Sequence, residues 1–359
     1  MSAVRRVGLL FGGRSAEHEV SLVSARAVAA AVAQSALECV PLAVDTDGCW
    51  LPPERSREIL EGDAKRVEAR RDSDGARLAA VPGGGGLLLV DPAGGSRPVQ
   101  LDVVFPLIHG WGGEDGRLQG LLELAGLPYV GSGVAASAVG MDKVLSKKLL
   151  QAEGIDVCPW LAFGRETYCD GSARAHERIL SELGFPVFVK PANGGSSLGI
   201  SRVTTADGLA AAMKLALDHD QRVVVERGID AREIECAVLG NERPEASGLG
   251  EIIPAGEFYD YAAKYEDPTS RLCIPAQVDA ALEMRMRDVA VAGYRAHDLR
   301  GFARVDFLVE RGTDRIFLNE VNTLPGFTSI SMFPKLWEAR GLSFPRLVER
   351  LVELALPRA

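Results

Sequence analysis

The stretch from Gly301 to Ser331, GFARVDFLVERGTDRIFLNEVNTLPGFTSIS, constrains the fold of this chain more than any other. Two runs rich in β-branched and aromatic residues flank a polar turn at Arg311, Gly312, Thr313 and Asp314, which predicts a β-hairpin. Side chains alternate faces along a strand, so Arg304 and Asp306 share one face, and Glu320 and Asn322 share a face on the return strand. Folding at the turn sets Asp306 roughly opposite Glu320. Two carboxylates and an amide oxygen then converge beside a guanidinium. An all-oxygen set without His or Cys suits Mg²⁺ or Mn²⁺, completed by water and phosphate oxygens. The alternative is a solvated hairpin face with a surface ion pair. The polar, turn-rich loop NTLPGFTSIS that follows at once favours the metal.

Length and composition narrow the surroundings of that hairpin. A chain of 359 residues predicts two or three domains, and a hydrophobic content of 47% supports sizeable cores. The net charge of -9 argues against a nucleic-acid partner, which usually meets a basic face. Six cysteines (Cys39, Cys49, Cys158, Cys169, Cys236 and Cys273) include no C-x-x-C pair and read as reduced thiols. There is no H-E-x-x-H, no secretory leader pattern and no apolar run of membrane-spanning length. The expectation is a soluble, cytoplasmic protein with no membrane partner.

The first third alternates strand and helix patterns: Val7 to Phe11, a helix from Val20, Val40 to Val44, Leu101 to Ile108, a helix from Arg117, and LPYVG. This rhythm predicts a parallel, helix-covered sheet, with ligands at the loops beyond the strand ends. GGRSAEHE and HGWGGEDG are such loops. Residues 52–100 are charged, then glycine-rich, and read as a peripheral insertion with a small hairpin around Leu87 to Val90. The central block runs helix (MDKVLSKKLLQAEG), strand (VCPWLAF), helix (HERILSELG), strand, glycine-rich loop, strand, helix and strand (RVVVERGI). A strand EIECAVLG, a charged tyrosine-rich loop, a long helix, the hairpin and a terminal helix complete the chain.

The loop KPANGGSSLGIS reads, taken alone, equally as an ordinary hairpin turn or as a phosphate grip. A strand delivers Lys190, Gly194 and Gly195 free the backbone, and Ser196 and Ser197 add hydroxyls beside main-chain N–H groups that can form an anion nest. It is not a P-loop, because a strand follows it rather than a helix. With Lys143 on a helix and the metal cluster downstream, a nucleoside triphosphate is the best-fitting ligand. Glu226 ends the strand RVVVE, where it can meet an adenine or ribose or simply be solvated. Glu233 and Glu235 share a face of the next strand, and either one can reach a ribose.

These motifs resemble the ATP-grasp superfamily, and within it the D-alanine–D-alanine ligases. The resemblance covers almost the whole chain: FGGRSAEHEVSL, HGWGGEDGRLQGLLELAGLPYVGSG, MDKVLSK, FVKPANGGSSLG, FYDYAAKY, ARVDF and LNEVNTLPGFTSIS. It implies a three-domain α/β architecture. Residues 1–131 would form an N-terminal parallel α/β substrate domain, with 52–100 inserted. Residues 132–226 and 227–359 would form central and C-terminal α+β domains with ATP between them. It implies that Lys143, Lys190, Ser196, Ser197 and Lys264 hold ATP phosphates, and that Glu226 and Glu233 hold the adenosine. Asp306, Glu320 and Asn322 would bind two Mg²⁺ (or Mn²⁺) ions. Arg304 would stabilise the acyl-phosphate and the oxyanion. Glu17 would bind the first D-alanine's ammonium, His109 would line that site, and Ser331 would bind the second carboxylate. Tyr265, Ser196 and Glu17 would form a hydrogen-bonded set. A homodimer and a role in peptidoglycan precursor synthesis are implied as well. Relatives that use D-lactate or D-serine as acceptor share most motifs. Depsipeptide-forming relatives depart from YDYxxKY at the position of Tyr265, so its presence here favours an amine nucleophile. A non-catalytic nucleotide sensor on the same scaffold could lose Arg304 or a metal ligand, and none is lost. Trp111 and Ile330 depart from common versions of the pattern without removing a proposed ligand.

Overall fold

An apolar strand buried on both faces needs a neighbour on each edge, and β1 (Arg5–Gly12) has both. The computed structural model describes residues 5–69, 75–195, 198–253 and 271–356. After β1 come α1 (His18–Val32), β2 (Leu37–Val44) and α2 (Pro53–Glu61). A small antiparallel sheet follows, made of β3 (Arg77–Val81), β4 (Gly86–Val90) and β5 (Ser96–Val99). The chain then returns through β6 (Val103–Pro106) to α3 (Arg117–Leu124). The parallel sheet has the order β2-β1-β6. LPYVG, expected as a strand, makes only the bridge from Tyr129 to Val104. Pro128 has no N–H to lengthen the ladder, and Gly131, at φ 108°, turns the chain away. The expected hairpin at Leu87 to Val90 is the middle strand of three. Its segment is built into the N-terminal cores rather than peripheral to them: Leu60 and Val67 pack with α1, and Leu78, Leu87 and Leu89 pack with Leu122.

The central block begins with α4 (Val134–Met141) and α5 (Lys143–Ala152). Read as one helix, MDKVLSKK is divided at Asp142. The Asp142 carboxylate accepts hydrogen bonds from the N–H groups of Val144 and Leu145, so it caps α5 as a separate helix. Arg222 pairs with the same carboxylate and ties the cap to the sheet behind it. That sheet contains β7 (Trp160–Gly164), β8 (Val187–Pro191), β9 (Ser201–Val203) and β10 (Arg222–Arg227), in the antiparallel order β7-β10-β8-β9. It is flanked by α6 (Arg165–Asp170), α7 (Ser172–Arg178) with a π-type turn to Leu183, and α8 (Leu209–His219).

The last sheet is built from β11 (Ala231–Leu239), β12 (Glu245–Ile253), β13 (Arg271–Cys273), β14 (Phe302–Glu310) and β15 (Ile316–Asn322), with α9 (Ala280–Ala296) packed against it. Its order is β13-β12-β11-β14-β15, antiparallel throughout. α10 (Met332–Glu338) and α11 (Phe344–Ala355) close the chain. The loop between β15 and α10 plugs into the N-terminal core. The Phe327 ring lies edge-on to Phe105 and to Phe302, each at 5.5 Å between centroids. This aromatic knot fixes the hairpin against the parallel sheet. Among the described residues no helix is long and apolar enough to cross a membrane.

Candidate active site

The hairpin forms where the alternation predicts it, with one break in register. β14 and β15 pair with Arg304 opposite Asn322 and Asp306 opposite Glu320, and a bulge follows Asp306. Gly312 and Asp314 take positive φ in the turn, at 78° and 52°. β11 lies on the other side of β14 and places Glu235 opposite Asp306 and Glu233 opposite Leu308. Period-2 alternation therefore gathers Glu233, Glu235, Arg304, Asp306, Glu320 and Asn322 on one face. Arg304 donates from Nε to Asp306 Oδ1 (2.7 Å) and from Nη2 to Oδ2 (2.6 Å), and its Nε lies 3.0 Å from Glu235 Oε2. Burial alone would lower the Arg304 pKa, but Asp306 and Glu235 outweigh it and keep the guanidinium charged.

This face walls two adjoining cavities. The smaller, of about 160 Å³, is lined by Glu17, His109, Glu114, Arg304 and Ser331. The larger, of about 780 Å³, is lined by Lys190, Glu226, Glu233 and Asp306. Lys143, Glu235 and Glu320 line both. One space suits an amino acid and the other a cofactor-sized ligand, with the charged wall between them.

Glu17 precedes α1, and its carboxylate is wedged between two glycine loops. A Cβ on Gly110 would stand 2.5 Å from Glu17 Oε2, and one on Gly195 would stand 3.0 Å from it. Glycine at those places lets HGWGGEDG and the phosphate loop close on the same carboxylate. His109 is 3% exposed and held from both ring nitrogens. Nδ1 is 3.1 Å from the Leu324 carbonyl, which can only accept, so Nδ1 carries the proton. Nε2 then accepts from Ser24 Oγ (3.2 Å), which in turn accepts from the Phe327 N–H (3.3 Å). Burial lowers the His109 pKa and keeps the ring neutral. Ser331 Oγ accepts the Thr328 N–H (3.0 Å) and lies at the start of α10.

A lysine-rich corner lines the larger cavity. Lys143 donates to the Gly194 carbonyl (2.6 Å). Burial, with Lys190 nearby, pushes the Lys143 ammonium down, while Glu320 opposes the shift. Glu226 takes Lys147 on Oε1 (3.0 Å) and Lys190 on Oε2 (2.8 Å). Burial would raise the Glu226 pKa, but the two lysines outweigh it and hold it at about 2. The proposed adenosine contact of Glu226 therefore starts from a carboxylate already gripped on both oxygens.

Two residues here, Lys147 and Glu114, have no role in the sequence reading. Lys147 lies four residues beyond Lys143, and that helical spacing was its signal. Glu114 sits in HGWGGEDG and accepts the Gly110 N–H (2.6 Å). Burial, and after it the charge of Glu17, raise the Glu114 pKa well above the carboxylate range. Of Glu233 and Glu235, which share a face of β11, Glu235 meets Arg304. The expected residues Ser196, Ser197, Lys264 and Tyr265 lie outside the described residues.

The whole chain has recognisable relatives. Residues 6–132 match the family model described as D-ala D-ala ligase N-terminus, and residues 149–353 match D-ala D-ala ligase C-terminus. The chain is 46% identical over 359 residues to the D-alanine–D-alanine ligase of Shouchella clausii, covering 99% of this chain and 96% of the relative. It is 45% identical over 354 residues to D-alanine–D-alanine ligase A of Escherichia coli K12, covering 98% and 96%. Among solved structures it resembles the VanG D-Ala:D-Ser ligase of Enterococcus faecalis, with TM-score 0.84, 35% identity and coverage of 98% and 100%. It also resembles the D-alanine–D-alanine ligase of Coxiella burnetii, with TM-score 0.82, 34% identity and coverage of 99% and 94%.

Proposed function

Because this chain belongs to the D-alanine–D-alanine ligase family, we infer that it is an ATP-dependent ligase joining two D-alanines into D-alanyl-D-alanine. Its mixed α/β fold is of the ATP-grasp type. The relatives at 45–46% identity over nearly the full length favour D-alanine as acceptor over D-lactate or D-serine. The observation that carries the reading is the charged wall shared by an amino-acid-sized and a cofactor-sized cavity.

A carboxylate is a poor electrophile because its oxygen is a poor leaving group. The γ-phosphoryl group of ATP moves to a carboxylate oxygen of the first D-alanine, giving an acyl-phosphate and ADP. The amine of the second D-alanine attacks the carbonyl carbon. The tetrahedral oxyanion then collapses with loss of phosphate, and the amine gives up a proton. In this reading Glu17 holds the first ammonium and Ser331 the second carboxylate. Lys143 and Lys190 hold phosphates, and Arg304 faces the acyl-phosphate and the oxyanion. Glu226 and Glu233 take the adenosine. His109 and Glu114 shape the first amino-acid subsite. Residues 1–131, 132–226 and 227–359 act as substrate, central and catalytic units. We place the enzyme in the cytoplasm, as a homodimer, supplying peptidoglycan precursor.

Asp306, Glu320 and Asn322 fit a hard divalent cation: all three donors are oxygens on one face of the paired strands. Among the described residues no group of three or more His, Cys, Asp or Glu side chains is arranged to hold a metal alone. Asn322 and ligand oxygens would therefore complete the set around Asp306 and Glu320. When bound, two Mg²⁺ or Mn²⁺ ions would neutralise charge on the transferred phosphoryl group.

Phosphate release from ATP, measured with D-alanine, L-alanine and D-lactate in turn, tests the function. Release with D-alanine alone, accompanied by dipeptide, is expected; equal release with L-alanine would sink the assignment. Glu320→Gln keeps the shape and removes one charge from the set. Turnover at saturating Mg²⁺ is expected to fall by roughly a hundredfold or more, with the thermal midpoint little changed. Wild-type turnover in that variant would remove Glu320 from the metal set.

A further inference from the structure

We propose that His18 is a positioning residue through which the inserted segment holds the first amino-acid subsite in shape. The proposal rests on the reading that Glu17 binds the first D-alanine's ammonium. His18 is the first residue of α1, directly after Glu17, and is 3% exposed. Its Nδ1 is 2.5 Å from the Gly13 carbonyl, and its Nε2 is 2.8 Å from the N–H of Val67. A carbonyl only accepts and an amide N–H only donates. Nδ1 therefore carries the proton and Nε2 is the acceptor, so one neutral tautomer joins both partners.

The two partners lie on opposite sides of a functional boundary. Gly13 belongs to the loop that leads into Glu17, and it has φ +92° beside Gly12 at +94°. Ser15 Oγ accepts the Glu17 N–H (3.2 Å) and donates to the His109 carbonyl (2.6 Å). Ser21 Oγ accepts the Gly12 N–H (2.7 Å) and donates to the Leu107 carbonyl (2.5 Å). Those two clamps tie the loop to the segment after β6. His18 alone of the three ties it to the insertion.

The far end of that tie is a fixed point. Within residues 61–69 only Val67 is buried, at 1% exposure, and its carbonyl accepts the Thr46 N–H (3.1 Å). Arg26, two turns along α1 from His18, donates to the carbonyls of Leu60 (3.1 Å), Gly62 (2.7 Å) and Ala64 (2.6 Å). One helix thus grips the segment at two places, and the grip nearest the cavity passes through His18 to the Glu17 loop.

The test uses the full-length enzyme. Glutamine at position 18 can still reach Val67 with an acceptor, whereas asparagine reaches only as far as Gly13. His18→Asn and His18→Ala are expected to raise the KM for D-alanine at the first site by roughly threefold to tenfold, the worth of one hydrogen bond, with the KM for ATP within about twofold. His18→Gln is expected to restore most of the loss. Equal effects in His18→Gln and His18→Asn, or parallel rises in both KM values, overturn the proposal. A second measurement needs no variant. If the insertion steadies the subsite, ligand must steady the insertion in return. D-alanine with a non-hydrolysable ATP analogue should slow hydrogen exchange in a peptide spanning Val67 as well as in the one around Glu17. Unchanged exchange at Val67 also overturns the proposal. Glu17→Gln separates this from the underlying reading: an unchanged D-alanine KM there removes the role of Glu17, and exchange at Val67 still decides the coupling.

Discussion

Arg304→Lys is expected to lower the maximal rate of dipeptide synthesis by roughly a hundredfold to a thousandfold, the range for removing one oxyanion donor. The guanidinium is held in place by its neighbours: Nε and Nη2 are committed to Asp306, and Glu235 approaches Nε from β11. Nη1 carries no hydrogen bond to the described residues and is the nitrogen we assign to the oxyanion. An ammonium has no such division of labour. It can satisfy Asp306 or Glu235, but it cannot also present a fixed donor in the same plane. Because the interaction strengthens only as charge develops on the carbonyl, the loss belongs in the maximal rate, with ATP affinity changed far less. Steady-state kinetics together with direct titration of ATP binding check this. Collapse of ATP binding with turnover of bound substrate preserved would make Arg304 a nucleotide ligand and remove its proposed role.

The second large effect concerns stability. Glu226→Gln is expected to destabilise the fold by about 3 kcal/mol at neutral pH, because it leaves the buried Lys147 and the half-buried Lys190 without their shared counter-charge. The pH dependence has a definite sign. Lys147 and Lys190 depress the Glu226 pKa in the folded state to about 2, from an ordinary value of 4.5. The stabilisation is therefore fully present above about pH 4.5 and lost as pH falls through the folded-state value near 2. Its size by linkage is on the order of 3 kcal/mol, in agreement with the cost of breaking the pair. Urea unfolding of wild type and variant at pH 7 and at successively lower pH should show the gap between them closing on the acid side. A gap that stays constant between pH 7 and pH 2.5 would mean that the triad is not the source of the effect. Adding Lys147→Met to Glu226→Gln should recover part of the stability, since it removes one of the two stranded charges.

Local periodicity determined a definite part of this protein. The pairing of Val309 with Ile316 and Phe307 with Leu318, continued unbroken, would set Asp306 opposite Asn319, and the bulge after Asp306 brings Glu320 there instead. What the alternation of ARVDF and FLNEVN around a polar turn did determine is the hairpin itself, with Asp306 and Glu320 close across it. The same logic placed Lys190 at the end of β8, Lys143 on α5 and Glu226 at the end of β10. Motif spacing over the whole chain supplied the family. Tertiary structure decided what local pattern does not encode. Glu226 meets Lys190 across 36 residues of sequence, His18 meets Val67 across 49, and the Phe327 N–H reaches Ser24 across 303. Such contacts depend on how sheets and helices pack, and a residue's neighbours in sequence carry no record of them. Packing made the inserted segment part of the N-terminal cores, and packing split α4 from α5 by giving Asp142 both a helix to cap and Arg222 to pair with. Packing also chose Glu235 over Glu233 as the partner of Arg304, because register across β11 and β14 sets Glu235 beside Asp306 and Glu233 two residues further along. Alternation alone puts both glutamates on the same face and cannot tell them apart.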